Sequence, residues 1–86
     1  MSDKADYRTS NALVRKGLKF SQLRLLAALR DLGQIGAAAQ HVGLTQPAAS
    51  RLLAQLEELA GVALYTRHAR GVVLTEAGRV LAEQAA

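Results

Sequence analysis

A run of polar side chains between positions 45 and 55 has the chemistry needed to read the edges of nucleic-acid bases. Glutamine can form two hydrogen bonds with adenine, arginine can do so with guanine, serine can pair with either base, and an alanine methyl can contact that of thymine. The segment also has helical apolar spacing, which turns Ala49, Leu53 and Leu56 inward. The outward set is Gln46, Ala48, Ser50, Arg51, Ala54 and Gln55.

These polar side chains also have structural explanations, which the residues alone leave open. Gln46 and Ser50 are common types at the start of a helix, and Arg51 could be a solvated charge paired with Gln55 or Glu58. Contact with bases and pairing within the helix therefore both remain possible readings of this face.

A second basic group, Arg67, His68 and Arg70, lies between two short extended runs. The runs are Leu64–Arg67 and Gly71–Leu74, and their valines and alternation predict two strands of a hairpin joined by residues 68–70. Gly71 is expected to supply the permissive φ of the turn. Arg67 could instead hold this hairpin by a salt bridge, and Arg70 could be a soluble turn residue.

Catalytic and metal-binding chemistry is poorly represented in the chain. The absence of cysteine excludes disulfides, thiolate zinc sites and a cysteine nucleophile. His41 and His68 are far apart in sequence and are expected to be surface or packing residues. Glu57 and Glu58 are adjacent, so a helix points them about 100° apart and they cannot share a proton. We therefore expect neither an enzyme nor a cofactor or metal site.

Length and charge set further limits. The 86 residues suffice for one small domain, and no apolar run approaches the roughly 18 residues needed to cross a membrane. The net charge of +4 favours a polyanionic partner. Residues 1–19 hold five basic and two acidic side chains, whereas residues 20–86 hold six and five. The arm 1–19 is therefore basic, and its lack of a sustained apolar period predicts that it is flexible, either as a simple extension or as an arm that grips DNA. DNA contact by residues 20–86 must depend on where their arginines point.

The first helix that must position these groups is expected to begin after Ser21. Ser21 suits an N-cap, Phe20 and Leu25 are spaced as a hydrophobic staple, and Gly33 ends the helix. Its predicted inward stripe is Phe20, Leu23, Leu26 and Ala27.

Two further helices follow in quick succession. The second is predicted through residues 37–42 and ends at Gly43, and Leu44 is an apolar plug in the next turn. Thr45 is expected to cap the third helix, with Pro47 in its first turn, and this helix runs to about Leu59 before Gly61. Its inward stripe is Ala49, Leu53, Leu56 and Ala60, widened by Leu52 and Leu59.

A fourth helix is predicted from Glu76 through Ala86, capped by Thr75. Its apolar positions are Ala77, Val80, Leu81 and Ala85, and the pattern is still running at the last residue. The stripe of Val80, Leu81 and Ala85 could be plain core, but its position at the end of the chain favours a dimer seam. The order of helices and hairpin predicts a mainly α fold, a winged helix-turn-helix with a three-helix core, a two-stranded wing and a C-terminal linker helix.

The chain from Phe20 to Leu81 resembles the N-terminal DNA-binding domain of LysR-type transcriptional regulators. The matching stretches, in order and correctly spaced, are residues 23–26, 38–39, 45–51, 56–57, 61–67 and 74–78. The resemblance implies residues 20–74 as the DNA-binding domain and residues 75–86 as the start of a linker and dimerisation helix. It also implies that the effector-binding domain lies outside this chain.

The resemblance implies a role for each site residue. Equivalents of Gln46, Pro47, Ser50 and Arg51 lie in the major groove, and Thr45 meets phosphate. Arg67, His68 and Arg70 would follow the DNA backbone or minor groove. Together with Ala48 and Gln55 from the outward face, these form the predicted DNA-binding set. The expected partner is double-stranded DNA with a short inverted repeat, bound by a cytoplasmic homodimer that pairs through the C-terminal helix.

Four positions depart from the family pattern. Thr45 retains a hydroxyl where serine is common, and Gly36 stands where threonine often caps the second helix and touches phosphate. Leu52 replaces a common polar residue and Ala49 a common leucine, which suggests a slightly repacked third helix. Two alternatives stay open: a winged-helix regulator of another family, molybdate-responsive or MarR-like, and a winged-helix protein–protein module.

Overall fold

Four helices and a two-stranded hairpin follow one another along residues 17–84, the part of the chain that this computed structural model describes. The elements are α1 (Phe20–Leu32), α2 (Ile35–His41), α3 (Gln46–Ala60), β1 (Tyr65–His68), β2 (Gly71–Leu74) and α4 (Glu76–Glu83). This order confirms the winged helix-turn-helix expected from the sequence. The predictions for most of the N-terminal arm and for Ala85 lie outside the described residues.

The start of α1 differs from the prediction. The N-cap is Lys19 rather than Ser21, and the side chain of Gln22 accepts a 2.9 Å hydrogen bond from the Lys19 amide. Phe20 is 65% exposed, so it neither extends the inward stripe nor forms a staple with Leu25. The polar anchor at Gln22, which is itself buried, starts the helix two residues earlier than a cap at Ser21 would.

The core of the domain is built from leucine and alanine. Gly33, at φ 73°, ends α1 as expected, and its amide donates to the Leu29 carbonyl. Each fully buried leucine contributes roughly 1.5–3 kcal/mol relative to an exposed one. The largest fully buried side chains are Leu25, Leu26, Leu29, Leu53, Leu56 and Leu64. They come from α1, α3 and the segment before β1, so the core lies between these elements.

Helix α2 begins at Ile35, two residues earlier than predicted. Its N-cap is Gln34, so Gly36 lies inside the first turn and does not occupy a cap position. Ala38 and Ala39 are almost completely buried, and their small side chains allow the neighbouring helices to approach closely. Leu44 packs against the core from the following turn, as expected of an apolar plug.

The hairpin pairs antiparallel with Tyr65 opposite Leu74 and His68 opposite Gly71. His68 therefore belongs to β1, and the connection is the dipeptide 69–70 rather than residues 68–70. Val72 and Leu74 point into the core, whereas Val73 is exposed. One face of β2 thus attaches the wing to the helices.

Helix α4 packs differently from its predicted stripe. Its buried residues are Gly78, Leu81 and Ala82, whereas Ala77 is exposed and Val80 is half-buried. Leu81 belongs to the core of its own chain, so the predicted seam of residues 80, 81 and 85 is wrong at that position. Gly78 is not one of the apolar positions predicted from the sequence, but its lack of a side chain lets α4 pack against the backbone at Leu64.

Candidate nucleic-acid interface

The N-terminal turn of α3 is fixed by two residues that leave it open to solvent. Thr45 has extended backbone, and its hydroxyl accepts a 3.3 Å hydrogen bond from the Ala48 amide. Pro47 occupies the first turn, where an N–H would have no helical partner. Both predictions are confirmed, and both side chains are exposed.

The inward face of α3 determines which side chains point outward. Ala49, Leu53 and Leu56 are each no more than 1% exposed. They pack in one core cluster with Ala38 and Ala39 of α2. Because a helix repeats every 3.6 residues, this stripe fixes the opposite face toward solvent.

The opposite face carries the side chains that the sequence places there. Within residues 17–84, none of these side chains is fully buried. Gln46, Arg51, Ala54 and Gln55 are exposed, and Ala48 and Ser50 are half-buried.

The Arg51 guanidinium is available for a ligand. Among residues 17–84 it has no hydrogen-bond or ion-pair partner, so the alternative pairing with Gln55 or Glu58 is not formed. Glu57, one of the two carboxylates near the end of α3, accepts a 2.9 Å hydrogen bond from the Leu64 amide. Its structural role was not visible in the sequence.

The one ion pair of the described chain joins two neighbours at the end of α1. Arg30 Nε lies 2.9 Å from the Asp31 carboxylate. The hydrogen bond from Arg30 lowers the pKa of Asp31 below its usual value. This pair is on the surface, and it leaves the basic groups of α3 and the wing unneutralised.

The wing presents its basic residues at its exposed tip. Arg67, His68 and Arg70 are all exposed. The Arg67 guanidinium carbon lies 5.8 Å from the centre of the Tyr65 ring, a cation–π distance, so the suggested salt bridge is replaced by an aromatic contact. His68 Nε2 lies 2.9 Å from the Thr66 hydroxyl.

A polar groove of about 340 Å³ separates the wing from the start of α3. Gln34 crosses its end, donating a 3.4 Å hydrogen bond from Nε2 to the Arg70 carbonyl. The groove therefore brings the wing and α3 groups, predicted separately, to one surface. Its lining residues are Gln34, Ile35, Gln46 and the run 67–72.

Other kinds of site are poorly supported. Across residues 17–84, no three side chains of the metal-binding types come together. His41 and His68 are both exposed and lie in different parts of the fold, on α2 and β1. In the same span, every helix is too short or too polar to cross a bilayer.

The chain is similar to known proteins in both sequence and fold. Residues 20–79 match the family described as bacterial regulatory helix-turn-helix protein, lysR family. The transcriptional regulator GbpR of Rhizobium radiobacter is 47% identical over 62 residues, covering 72% of this chain and 20% of that protein. ClcR of Pseudomonas putida is 43% identical over 68 residues, covering 79% and 23%. This chain thus spans about a fifth of the length of these curated relatives.

Two solved structures with DNA have the same fold. The CbnR_DBD–DNA complex has a TM-score of 0.73 and 37% identity, covering 79% of this chain and 78% of that one. The BenM_DBD/benA site 1 DNA complex has a TM-score of 0.72 and 29% identity, covering 79% and 76%. The similarity therefore extends over more than three quarters of each of these two chains.

Proposed function

Because the chain belongs to the lysR family of bacterial regulatory helix-turn-helix proteins, we propose that its winged domain recognises a specific operator sequence in double-stranded DNA. Because the chain belongs to this family, the molybdate-responsive and MarR-like alternatives no longer apply. The observation that carries the proposal is the exposed face of α3, on which the Arg51 guanidinium has no partner among residues 17–84. Glutamine, serine and arginine on such a face match the hydrogen-bonding edges of bases in the major groove.

The site residues divide into two groups by the part of DNA they would contact. Gln46, Ser50 and Arg51 face base edges, supported by Pro47, Ala48 and Gln55 around them. Thr45 lies at the N-terminus of α3, where unpaired backbone N–H groups favour a phosphate. The wing residues Arg67, His68 and Arg70 follow the DNA backbone or enter the minor groove. The groove beside Gln46 gives both groups one continuous surface.

The active form in this proposal is a cytoplasmic homodimer on an inverted repeat. Residues 20–74 bind DNA. Helix α4 begins the dimerisation helix, and its outward face makes the contact with the second subunit. Ala77 is exposed and Val80 half-buried on that face, whereas Leu81 serves the chain's own core. Two-fold pairing would place two α3 helices in half-sites about 34 Å apart. Any small-molecule effector would act on a further domain.

Selection from a library of random duplexes tests the proposal. The expected product is a short inverted repeat. The association constant of the protein for this duplex should fall as salt is added. The slope of log K against log salt concentration should be about −5 to −9, because about six to ten phosphates are neutralised. The matched control is the double variant Gln46→Ala/Arg51→Ala, which should retain salt-dependent binding and lose sequence preference. Enrichment of the same sequence by the control would place recognition elsewhere and reject the proposal.

A further inference from the structure

Gly36 and Gln46 face each other where the start of α2 meets the start of α3. A Cβ atom placed on Gly36 would lie 3.3 Å from Gln46 Oε1 and 3.8 Å from Gln46 Cδ. The first residue of the base-reading helix therefore holds its amide in the space that a side chain at position 36 would occupy. Gly36 does not have a positive φ, so backbone conformation does not require glycine there.

The Gln46 amide lies between Gly36 and the groove beside the wing. Within the described part of the chain, no hydrogen bond holds that amide, and its remaining surroundings include the open groove beside the wing. A side chain at position 36 would meet the far end of a flexible glutamine rather than backbone. The amide would move by a few tenths of an ångström, and α2 would stay in place.

We infer that Gly36 is a positioning residue that sets the direction in which Gln46 meets its base. This inference rests on the proposed function. Two simultaneous hydrogen bonds to adenine need donor–acceptor distances near 2.7–3.2 Å and good alignment at both atoms. A displacement of the whole amide disturbs both bonds together. Gly36 therefore acts on specificity through Gln46 rather than through a side chain of its own.

A substitution at position 36 should also change base recognition and thermal stability in opposite directions. Replacing a helical glycine with alanine ordinarily raises helix stability. Gly36→Ala should therefore raise the melting temperature by a few degrees while weakening base preference. If Gly36 had only a structural role, Gly36→Ala would change the melting temperature without changing base preference.

The experiment repeats the random-duplex selection with the whole 86-residue chain and five variants. Gln46→Ala identifies the base position that Gln46 reads, with an expected loss of preference of about 5- to 150-fold. Gly36→Ala, and Gly36→Ser as a second variant with the same Cβ, should weaken preference several-fold at that position alone. In the Gln46→Ala background, Gly36→Ala should have no further effect on base preference.

Ala37→Gly is the matched control, because it changes helix propensity at the exposed neighbouring position. It should lower the melting temperature and leave base preference unchanged. The inference is overturned if Gly36→Ala leaves the Gln46 position unchanged, if Ala37→Gly weakens it equally, or if Gln46→Ala alters no position. If the unmodified chain selects no sequence at all, the proposed function fails, and this inference fails with it.

Discussion

The backbone amide of Val72 donates a 2.8 Å hydrogen bond to the carbonyl of Gly33, tying the wing to the turn between α1 and α2. The side chain of Gln34 adds a second tie at the Arg70 carbonyl. These bonds join the tip of the wing to the residues that begin α2, which packs on α3. These two hydrogen bonds therefore help to set the spacing between the wing arginines and the exposed face of α3.

Gly71→Ala should break this attachment. A Cβ at position 71 would overlap the Gly33 carbonyl, and φ there is 148°. We expect a loss of about 2–3 kcal/mol in the free energy of unfolding, measured by urea denaturation. Gly43→Ala is the control, because Gly43 has φ 79° with open space around it and should lose only about 1 kcal/mol. Equal losses in the two variants would show that conformation alone, not the wing contact, requires glycine.

Gly78→Ala should destabilise the domain although it lies within a helix. Helix propensity alone would predict a gain of up to about 1 kcal/mol. The added Cβ would overlap the backbone carbonyl of Leu64, so we expect a net loss of about 1–3 kcal/mol. Thermal unfolding compared with Gly36→Ala checks the sign, because position 36 faces a flexible side chain instead. A melting temperature raised by both substitutions would contradict the close packing of α4 on Leu64.

The sequence predicted α3 well because its signals are local. Thr45 and Pro47 mark its start within three residues, Gly61 marks its end, and the burial of Leu53 and Leu56 follows from simple periodicity. The start of α1 was mispredicted because Gln22, at the third helical position, accepts a hydrogen bond from the Lys19 amide, so the helix begins before Ser21.

Contacts between elements could not be predicted in this way. Gly78 looks like a helix weakener until Leu64, fourteen positions earlier, is placed beside it. Likewise, Gly36 and Gln46 are separated by the turn between two helices, and periodicity gives no distance across that turn. The groove beside the wing is lined by residues 34–35, 46 and 67–72, which are distant in sequence, so only the three-dimensional arrangement reveals it.

Thr75 should matter more to stability than Thr45, although both cap helices. The Thr75 hydroxyl donates a 2.8 Å hydrogen bond to the Ala63 carbonyl and accepts one of 3.1 Å from the Gly78 amide. Thr45 accepts a single bond of 3.3 Å. Thr75→Val should therefore cost about 1.5–2.5 kcal/mol and Thr45→Val about 0.5–1 kcal/mol in urea denaturation. Thr75→Ser should retain most of the stability, and a Thr45→Val loss as large as that of Thr75→Val would refute the ranking.

Arg51→Ala should weaken binding to the selected duplex by about 1–3 kcal/mol, measured by fluorescence anisotropy. If the guanidinium reads a base, the loss falls on the selected duplex and preference relaxes at one base pair. If it contacts phosphate, affinity falls on every sequence and the salt slope decreases by about one. Arg30→Ala removes the same charge from the end of α1, where the guanidinium is paired with Asp31, and should have a much smaller effect. Equal losses for the two arginines would mean that bulk charge, rather than the α3 face, drives binding.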